Sequence, residues 1–328
     1  MEDIASQNIT CNGLTKIYNG KRKSKAIDSL SFSVPSTGIF VLIGRNGSGK
    51  TTLVRILSTE LEPTSGSVSI NGIDVVNEPD RLREKIAIVP QEARAVPWMT
   101  PTQTVLSYLL WRGFDYGEAK QSAIDTLGRL GLGRHANSLN RTLSGGNKRK
   151  VLVATVLASE AEIIFLDEPT TGLDPISRKE FWELLREIGR ERFTFLTTHY
   201  LEEAEELADQ IGILDKGKLI GIGTLDEIRA KVNYNYSMKL PSAILIPRVA
   251  NGEVIEGRDG TRILTTEDEA FRISRDLARS GYKFTINPIS LDDIFFYLVN
   301  REGSKSDIGN QRGTKSEEGE EATTAAQD

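Results

Sequence analysis

Cysteine is almost missing from this sequence. Cys11 is the only one in 328 residues, so no disulfide can form within the chain, and a reducing compartment suits it. No base motif accompanies Cys11, which reads as a bland residue and not a nucleophile. Long apolar runs are missing too. The longest, IFVLIG and VLVATVLA, fall far short of the roughly 18 residues that a membrane-spanning helix needs. A role at a membrane would therefore require other chains to do the crossing. The opening MEDIASQNIT has neither a basic head nor an apolar run, so no signal peptide is expected there. Nor is there an excess of positive charge: 41 Lys and Arg face 46 Asp and Glu, a net charge of −5, with a pI of about 5.4. Nucleic acid and anionic membrane surfaces favour basic patches, so neither is an expected partner.

The apolar share of 38% and charged share of 27% suit a chain with a sizeable core. The length fits one large domain with an appendage. From about Ser6 to Val34, apolar and polar residues alternate around a basic break, NGKRKSKA, predicting an antiparallel hairpin with a solvated loop. IFVLIG reads as a buried strand, TTLVRILST as a helix, GSVSINGIDV as a hairpin turned at Asn71-Gly72, and KIAIVPQ as another buried strand. From about Glu92 the texture changes to prolines and helices (TVLSYLLW, YGEAKQSAIDTLGRLG), as in a helical insertion between two halves of an α/β core. An amphipathic helix (NKRKVLVATVLAS) follows. Then strand EIIFLDEP, helix SRKEFWELLREIGR and strand FTFLTTH alternate as a parallel sheet requires. Helix LEEAEELAD and strands QIGILDKG and KLIGIGT close this unit near Lys231. Residues 232–300 read as a smaller α+β unit, with strands YSMKL, AILIP and YKFTINP, a central helix EDEAFRISRDLARSG and a short final helix LDDIFFYLV. From Arg301 the chain is acidic and nearly without apolar residues, which predicts a disordered tail over 301–328.

The chemistry begins at GRNGSGKT, Gly44 to Thr51. Glycines at 44, 47 and 49 let backbone N–H groups turn inward around phosphate oxygens, Lys50 reaches the β- and γ-phosphates, and Thr51 offers its hydroxyl to Mg²⁺. The following helix aims its positive end at the same anion. The predicted strand before the loop and helix after it are the context this pattern requires. IIFLDE, Ile163 to Glu168, delivers two carboxylates to the end of a buried strand, where ligands of parallel sheets bind. Asp167 is suited to hold Mg²⁺ through water, and Glu168 to polarise an attacking water. These motifs alone define an ATPase or GTPase with a phosphate-binding loop, and no guanine-reading NKxD pattern occurs in a suitable place. LSGGNKRK, Leu143 to Lys150, is a second anion-binding helix start. One nucleotide seldom needs two cradles, so the second is expected to serve ATP on another subunit. Gln91 and His199 each follow a buried strand, where the nucleotide should lie.

In this order, Gly44–Thr51, Gln91, LSGG, LDEPTTGLD and His199 resemble the ATP-binding subunits of ABC transporters over about residues 6–231. The resemblance implies an α/β fold: a P-loop NTPase core with an antiparallel β subdomain and a helical insertion at about 92–150. Residue by residue, it implies catalytic roles for Lys50, Gln91, Glu168 and His199, and magnesium ligation by Thr51, Gln91 and Asp167. It implies ATP contacts from Tyr18, as the aromatic on adenine, and from Gly44, Arg45, Asn46, Gly47, Ser48, Gly49, Lys50, Thr51 and Thr52. Ser144, Gly145 and Gly146 would touch a partner's ATP, with Asp174 at the dimer interface. The implied partners are a second nucleotide-binding domain and membrane permease subunits on separate chains, which place the protein on the cytoplasmic face of the cell membrane. Met99, Tyr108 and Trp111 would either line the grip on a permease helix or form the core of the helical insertion. Asn147 stands where many members have glutamine, and Arg45 replaces a common proline. LSGGNKRK and the ending PISLDDIFFYLV resemble the drug-, antibiotic- and lipid-exporter branch, which implies export. The competing class is an ABC ATPase acting on ribosomes or DNA. The ribosomal kind carries two cassettes per chain, where one is present here. The DNA-repair kind splits its cassette with long coiled coil, and no long heptad run occurs.

Overall fold

A computed structural model of the chain describes residues 7–20, 23–240, 249–257 and 260–301. The expected strand AILIP and, beyond Arg301, the expected tail lie outside the described residues. The chain divides into two compact units, Met1–Leu225 and Asp226–Asp328, a boundary slightly ahead of the position 231 expected from the sequence.

The first unit opens with β1 (Asn8–Asn19) and β2 (Lys23–Pro35), the predicted hairpin. Cys11 on β1 is a core residue, and burial pushes its thiol up to about 12. Next come β3 (Ile39–Ile43), α1 (Lys50–Leu57), β4 (Ser65–Ile70) and β5 (Ile73–Asp74). Asn71 and Gly72 both take left-handed backbone, with φ of 52° and 78°, as an Asn-Gly hairpin turn requires. Strands β1, β2, β4 and β5 form an antiparallel sheet in the order β2-β1-β4-β5. After α2 (Pro79–Lys85), which no sequence expectation covered, come β6 (Ile86–Val89), α3 (Pro101–Trp111), α4 (Tyr116–Arg129) and α5 (Gly145–Ala158). The unit closes with β7 (Ile163–Asp167), α6 (Pro175–Glu191), β8 (Phe193–Thr198), α7 (Leu201–Leu207), β9 (Gln210–Asp215) and β10 (Lys218–Gly223). A short helix, α8 (Leu225–Ala230), follows.

The central sheet runs β10-β9-β3-β8-β7-β6. Strands β9, β3, β8, β7 and β6 are parallel, and β10 pairs antiparallel at the edge. Strands β3 and β7 are buried at every position, the continuous apolar run expected of a strand covered on both faces. Phe40, Phe195 and Phe165 stand in register on β3, β8 and β7, with ring centroids 4.9 and 5.7 Å apart. They join Ile9, Leu14 and Val68 of the antiparallel sheet in one core.

Four helices of the first unit, α3 to α6, start at a polar residue whose side chain caps them. Thr100 and Gln103 form a reciprocal capping box on α3, with Pro101 in its first turn, and Asp115 caps α4. Helix α5 corrects one expectation. It is not amphipathic around its circumference. Its start is partly open, but every residue from Val153 to Ala158 is buried, because the helix packs against α3, α4, α6 and β6. Its polarity is therefore divided along its length.

The second unit holds β11 (Tyr236–Leu240), β12 (Gly252–Gly257), β13 (Gly260–Thr265), α9 (Glu267–Arg279), β14 (Thr285–Pro288) and a last helix, α10, over residues 291–301. Its antiparallel sheet runs β12-β13-β11-β14. Met238, Leu240 and Ile263 pack against Ala270, Ile273 and Leu277 of α9. The hairpin of β12 and β13 went unread in the sequence, where glycines and charges interrupt its alternation.

Candidate nucleotide-binding site

The loop after β3, Gln91 after β6, Glu168 after β7 and His199 after β8 all stand at the C-terminal ends of parallel strands. The register sets Ile43 beside Thr198, Thr197 beside Asp167, and Leu166 beside Val89. Residues far apart in sequence thus converge on one rim of the sheet, where open α/β sheets bind ligands.

Lys50 and Glu168 are 5% and 6% exposed, with Nζ 3.4 Å from Oε1. Lys50 also donates to the Gly44 carbonyl at 2.8 Å and the Arg45 carbonyl at 3.4 Å. The loop curls around its own lysine because Gly47 and Gly49 take φ of 80° and 109°. A Cβ at Gly49 would lie 2.4 Å from the Ala26 carbonyl oxygen, so no larger residue fits there.

Glu168 is the hub of the site. Its Oε2 accepts from Gln91 Nε2 at 3.3 Å and Thr171 Oγ1 at 3.1 Å. His199 Nδ1 lies 3.0 Å from the same oxygen, within hydrogen-bond reach. Glu168 has φ of 48°, a left-handed backbone that residues with a Cβ seldom adopt. Asp167 is buried beneath it and accepts from the Thr197 hydroxyl.

A cavity of about 390 Å³ opens at this rim, within the size range of small-ligand sites. Of the residues singled out in the sequence, Tyr18, Asn46, Gly47, Gly49, Lys50, Thr51, Thr52, Gln91 and Glu168 line it. Ser24 and Ala26 line it too. They belong to the basic segment read as solvated loop, and no local pattern marks them. Gly44, Arg45, Ser48, Asp167 and His199 do not line it. Gly44 leaves room for the Ser48 hydroxyl, 2.5 Å from where its Cβ would be. Tyr18 is partly exposed at the cavity mouth, its hydroxyl 3.4 Å from Thr52 Oγ1.

Ser144, Gly145, Gly146 and Asp174 stay outside this cavity. Ser144, exposed, caps α5 by accepting from the Asn147 N–H at 3.2 Å. Asp174, also exposed, caps α6 by accepting from the Ile176 and Ser177 N–H groups. The Ser177 hydroxyl and N–H hold its carboxyl below the usual range. A Cβ on Gly146 would come 3.3 Å from Ser177, so the two capped helix starts are neighbours on one surface.

A groove of about 690 Å³ runs between the core and the helical insertion, lined by Ile86, Ala87, Tyr108, Trp111 and Arg112 among others. Trp111 is 81% exposed and so is no core residue. Tyr108 is half-buried in the groove wall, and Met99, also half-buried, does not reach it.

A glycine loop curled around a buried lysine, with a carboxylate from the end of β7, two strands along the sheet, facing it, defines a nucleotide hydrolase with a phosphate-binding loop. Comparison with known proteins narrows this class. The family model described as ABC transporter matches residues 27–171. The daunorubicin/doxorubicin resistance ATP-binding protein of Streptomyces peucetius is 37% identical over 89% of this chain and 92% of its own. The linearmycin resistance ATP-binding protein of Bacillus subtilis is 34% identical over 64% of this chain and 68% of its own. A dimeric structure of the ATP-binding cassette MJ0796 in a post-hydrolysis state with ADP and Pi superposes with a TM-score of 0.60. It is 26% identical, covering 66% of this chain and 98% of that one. The chain belongs to the ABC transporter family, as one of its ATP-binding, ATP-hydrolysing subunits.

Proposed function

We propose that the chain powers an exporter: two copies, or one copy and a paralogue, close on ATP at the cytoplasmic face of a membrane and reopen on hydrolysis. The observation that carries this reading is the convergence of Lys50, Gln91 and His199 on Glu168. Lys50 would neutralise phosphate charge, and Glu168 would orient and polarise the attacking water. His199, through its ring, would hold the carboxylate and face the γ-phosphate.

The donor set suits a magnesium nucleotide. Among the described residues no cluster of three or more His, Cys, Asp or Glu could hold a metal. A divalent ion there would thus depend on phosphate oxygens, as magnesium commonly does. Thr51, Gln91 and Asp167 are the chain's own candidate ligands, Asp167 acting through water from its buried position. ATP binding would draw on Tyr18 for the base and on residues 44–52 for the phosphates.

The exposed pair of helix starts at Ser144 and Asp174 supports a composite site. Lying outside this chain's cavity, they suit a partner's ATP. Among the described residues no helix is long and apolar enough to cross a membrane. The groove beside Trp111 would take a short helix of a membrane subunit. The resistance proteins matched above support export of drug-like compounds.

The test is Glu168→Gln. We expect ATP affinity to be retained and steady-state hydrolysis to fall by at least about 100-fold. Turnover near the wild-type rate would remove Glu168 from this role.

A further inference from the structure

Arg149 belongs to the LSGGNKRK segment, yet none of the roles assigned above uses it. It sits on α5, just over one helical turn from Ser144, and is 7% exposed. Its guanidinium donates to three successive backbone carbonyls: Asp167 at 3.4 Å, Glu168 at 2.9 Å and Pro169 at 2.5 Å. A planar fork of donors suits such a row of acceptors, and an ammonium does not.

The held segment needs holding. Glu168 is the residue with left-handed backbone at the end of β7, and such conformations persist only where the surroundings over-determine them. On its amino side, the Glu168 N–H donates to the Thr197 carbonyl and hydroxyl, both at 3.1 Å. On its carbonyl side, Arg149 is the charged donor. The Glu168 carbonyl also accepts from the Thr171 N–H at 3.3 Å, so without Arg149 the backbone would keep β8 and that single turn bond as its anchors. Burial brings the Arg149 pKa down to about 10, with the nearby Arg94 charge acting the same way and Asp167 and Glu203 opposing. It remains a cation at neutral pH. Arg94 itself donates to the Gln91 and Ala93 carbonyls, so the segments that deliver Gln91 and Glu168 are each held by an arginine.

We propose that Arg149 is a positioning residue for Glu168, locking its backbone and tying the aim of this carboxylate to the helix that presents Ser144. The proposal rests on the reading of Glu168 as the group that polarises water. Arg149 touches no substrate; it acts through the carbonyls of residues 167–169.

Four full-length variants test it: Arg149→Gln, Arg149→Lys, Glu168→Gln and the double variant with both glutamines. Mant-ATP affinity and steady-state hydrolysis are measured on each. R149Q should lower kcat by about 100-fold, the cost of a misplaced catalytic group, and leave KM and mant-ATP affinity within about 3-fold of wild type. R149K, with one point donor, should recover part of the loss. In single-turnover assays on the Glu168→Gln background, adding R149Q should slow residual hydrolysis by less than about 2-fold, since the group it positions is already gone. A merely structural role would instead lower mant-ATP affinity and slow residual hydrolysis on both backgrounds. If R149Q does not fold, wild-type kcat in R149K overturns the proposal, and a reduced kcat at unchanged KM supports it. If E168Q is inactive while both Arg149 variants turn over as wild type, the reading of Glu168 stands and the role of Arg149 falls. If E168Q turns over as wild type, that reading fails first and takes the proposal with it.

Discussion

At the scale of single residues, the site is built from side chains whose charge is costly to bury and whose partners offset that cost. Lys50 and Glu168 do this for each other. Glu203 is a different case. It starts near the head of α7, is fully buried, and accepts from the Trp182 indole N–H at 3.0 Å. Burial raises its carboxyl pKa, against the pull of its hydrogen bonds. A carboxyl whose folded pKa is raised favours folding below its unfolded pKa, and that contribution is lost as pH rises through the folded value. Glu203→Gln keeps an acceptor for the indole and removes the ionisation. The variant should melt like wild type near pH 4.5, the ordinary value for this group. Relative to wild type it should gain stability as pH rises, as thermal melts across pH would show. An equal melting difference at every pH would contradict the assignment.

At the scale of elements, the helical insertion depends on a buried amide that no motif announces. Asn140 is 0% exposed. Its Nδ2 donates to the Val96 carbonyl and to Thr104 Oγ1, each at 2.9 Å, and its N–H donates to the Met99 carbonyl at 2.8 Å. One side chain thus ties the segment that follows Gln91 to α3 and to the approach of the LSGG turn. Asn140→Ala should destabilise the chain by about 1–3 kcal/mol, because it strands buried polar groups. Denaturant unfolding measures this directly. Trp111, by contrast, carries its surface outward along the groove, so Trp111→Ala should shift stability by no more than about 0.5 kcal/mol.

For the whole molecule, the division of the site decides the expected assembly. The cavity and the exposed helix starts at Ser144 and Asp174 are separate features of the first unit. If each serves the other in a pair, the Glu168→Gln variant should become dimeric in ATP, read by light scattering. Adding Ser144→Arg should return it to a monomer without loss of mant-ATP binding, since Ser144 lies outside its own chain's cavity. A dimer that persists with Ser144→Arg would refute the composite site.

Much of the cavity was legible in the sequence. Gly44 to Thr51 is contiguous, its glycines and lysine are local necessities, and the strand before it is a single apolar run. Asp167 and Glu168 end another such run. The helix start at Ser144 was legible in its serine and glycines, whereas the caps at Thr100, Asp115 and Asp174 went unread. What local pattern could not carry was decided by the tertiary structure. The parallel register brings Gln91 to Glu168 across 77 residues. The pairing of β2 with β1, which sets Ser24 opposite Tyr18, and the approach of Ala26 to Gly49 put both on the cavity wall. Burial on several sides made α5 a core helix whose second half has no polar stripe. The left-handed backbone of Glu168, and the Arg149 fork that holds it, arise only where α5 crosses the end of β7. Sequence determines the chemistry that contiguous residues carry. Convergence depends on packing between distant segments, whose energy is spread over many contacts and leaves no periodic mark in any one of them.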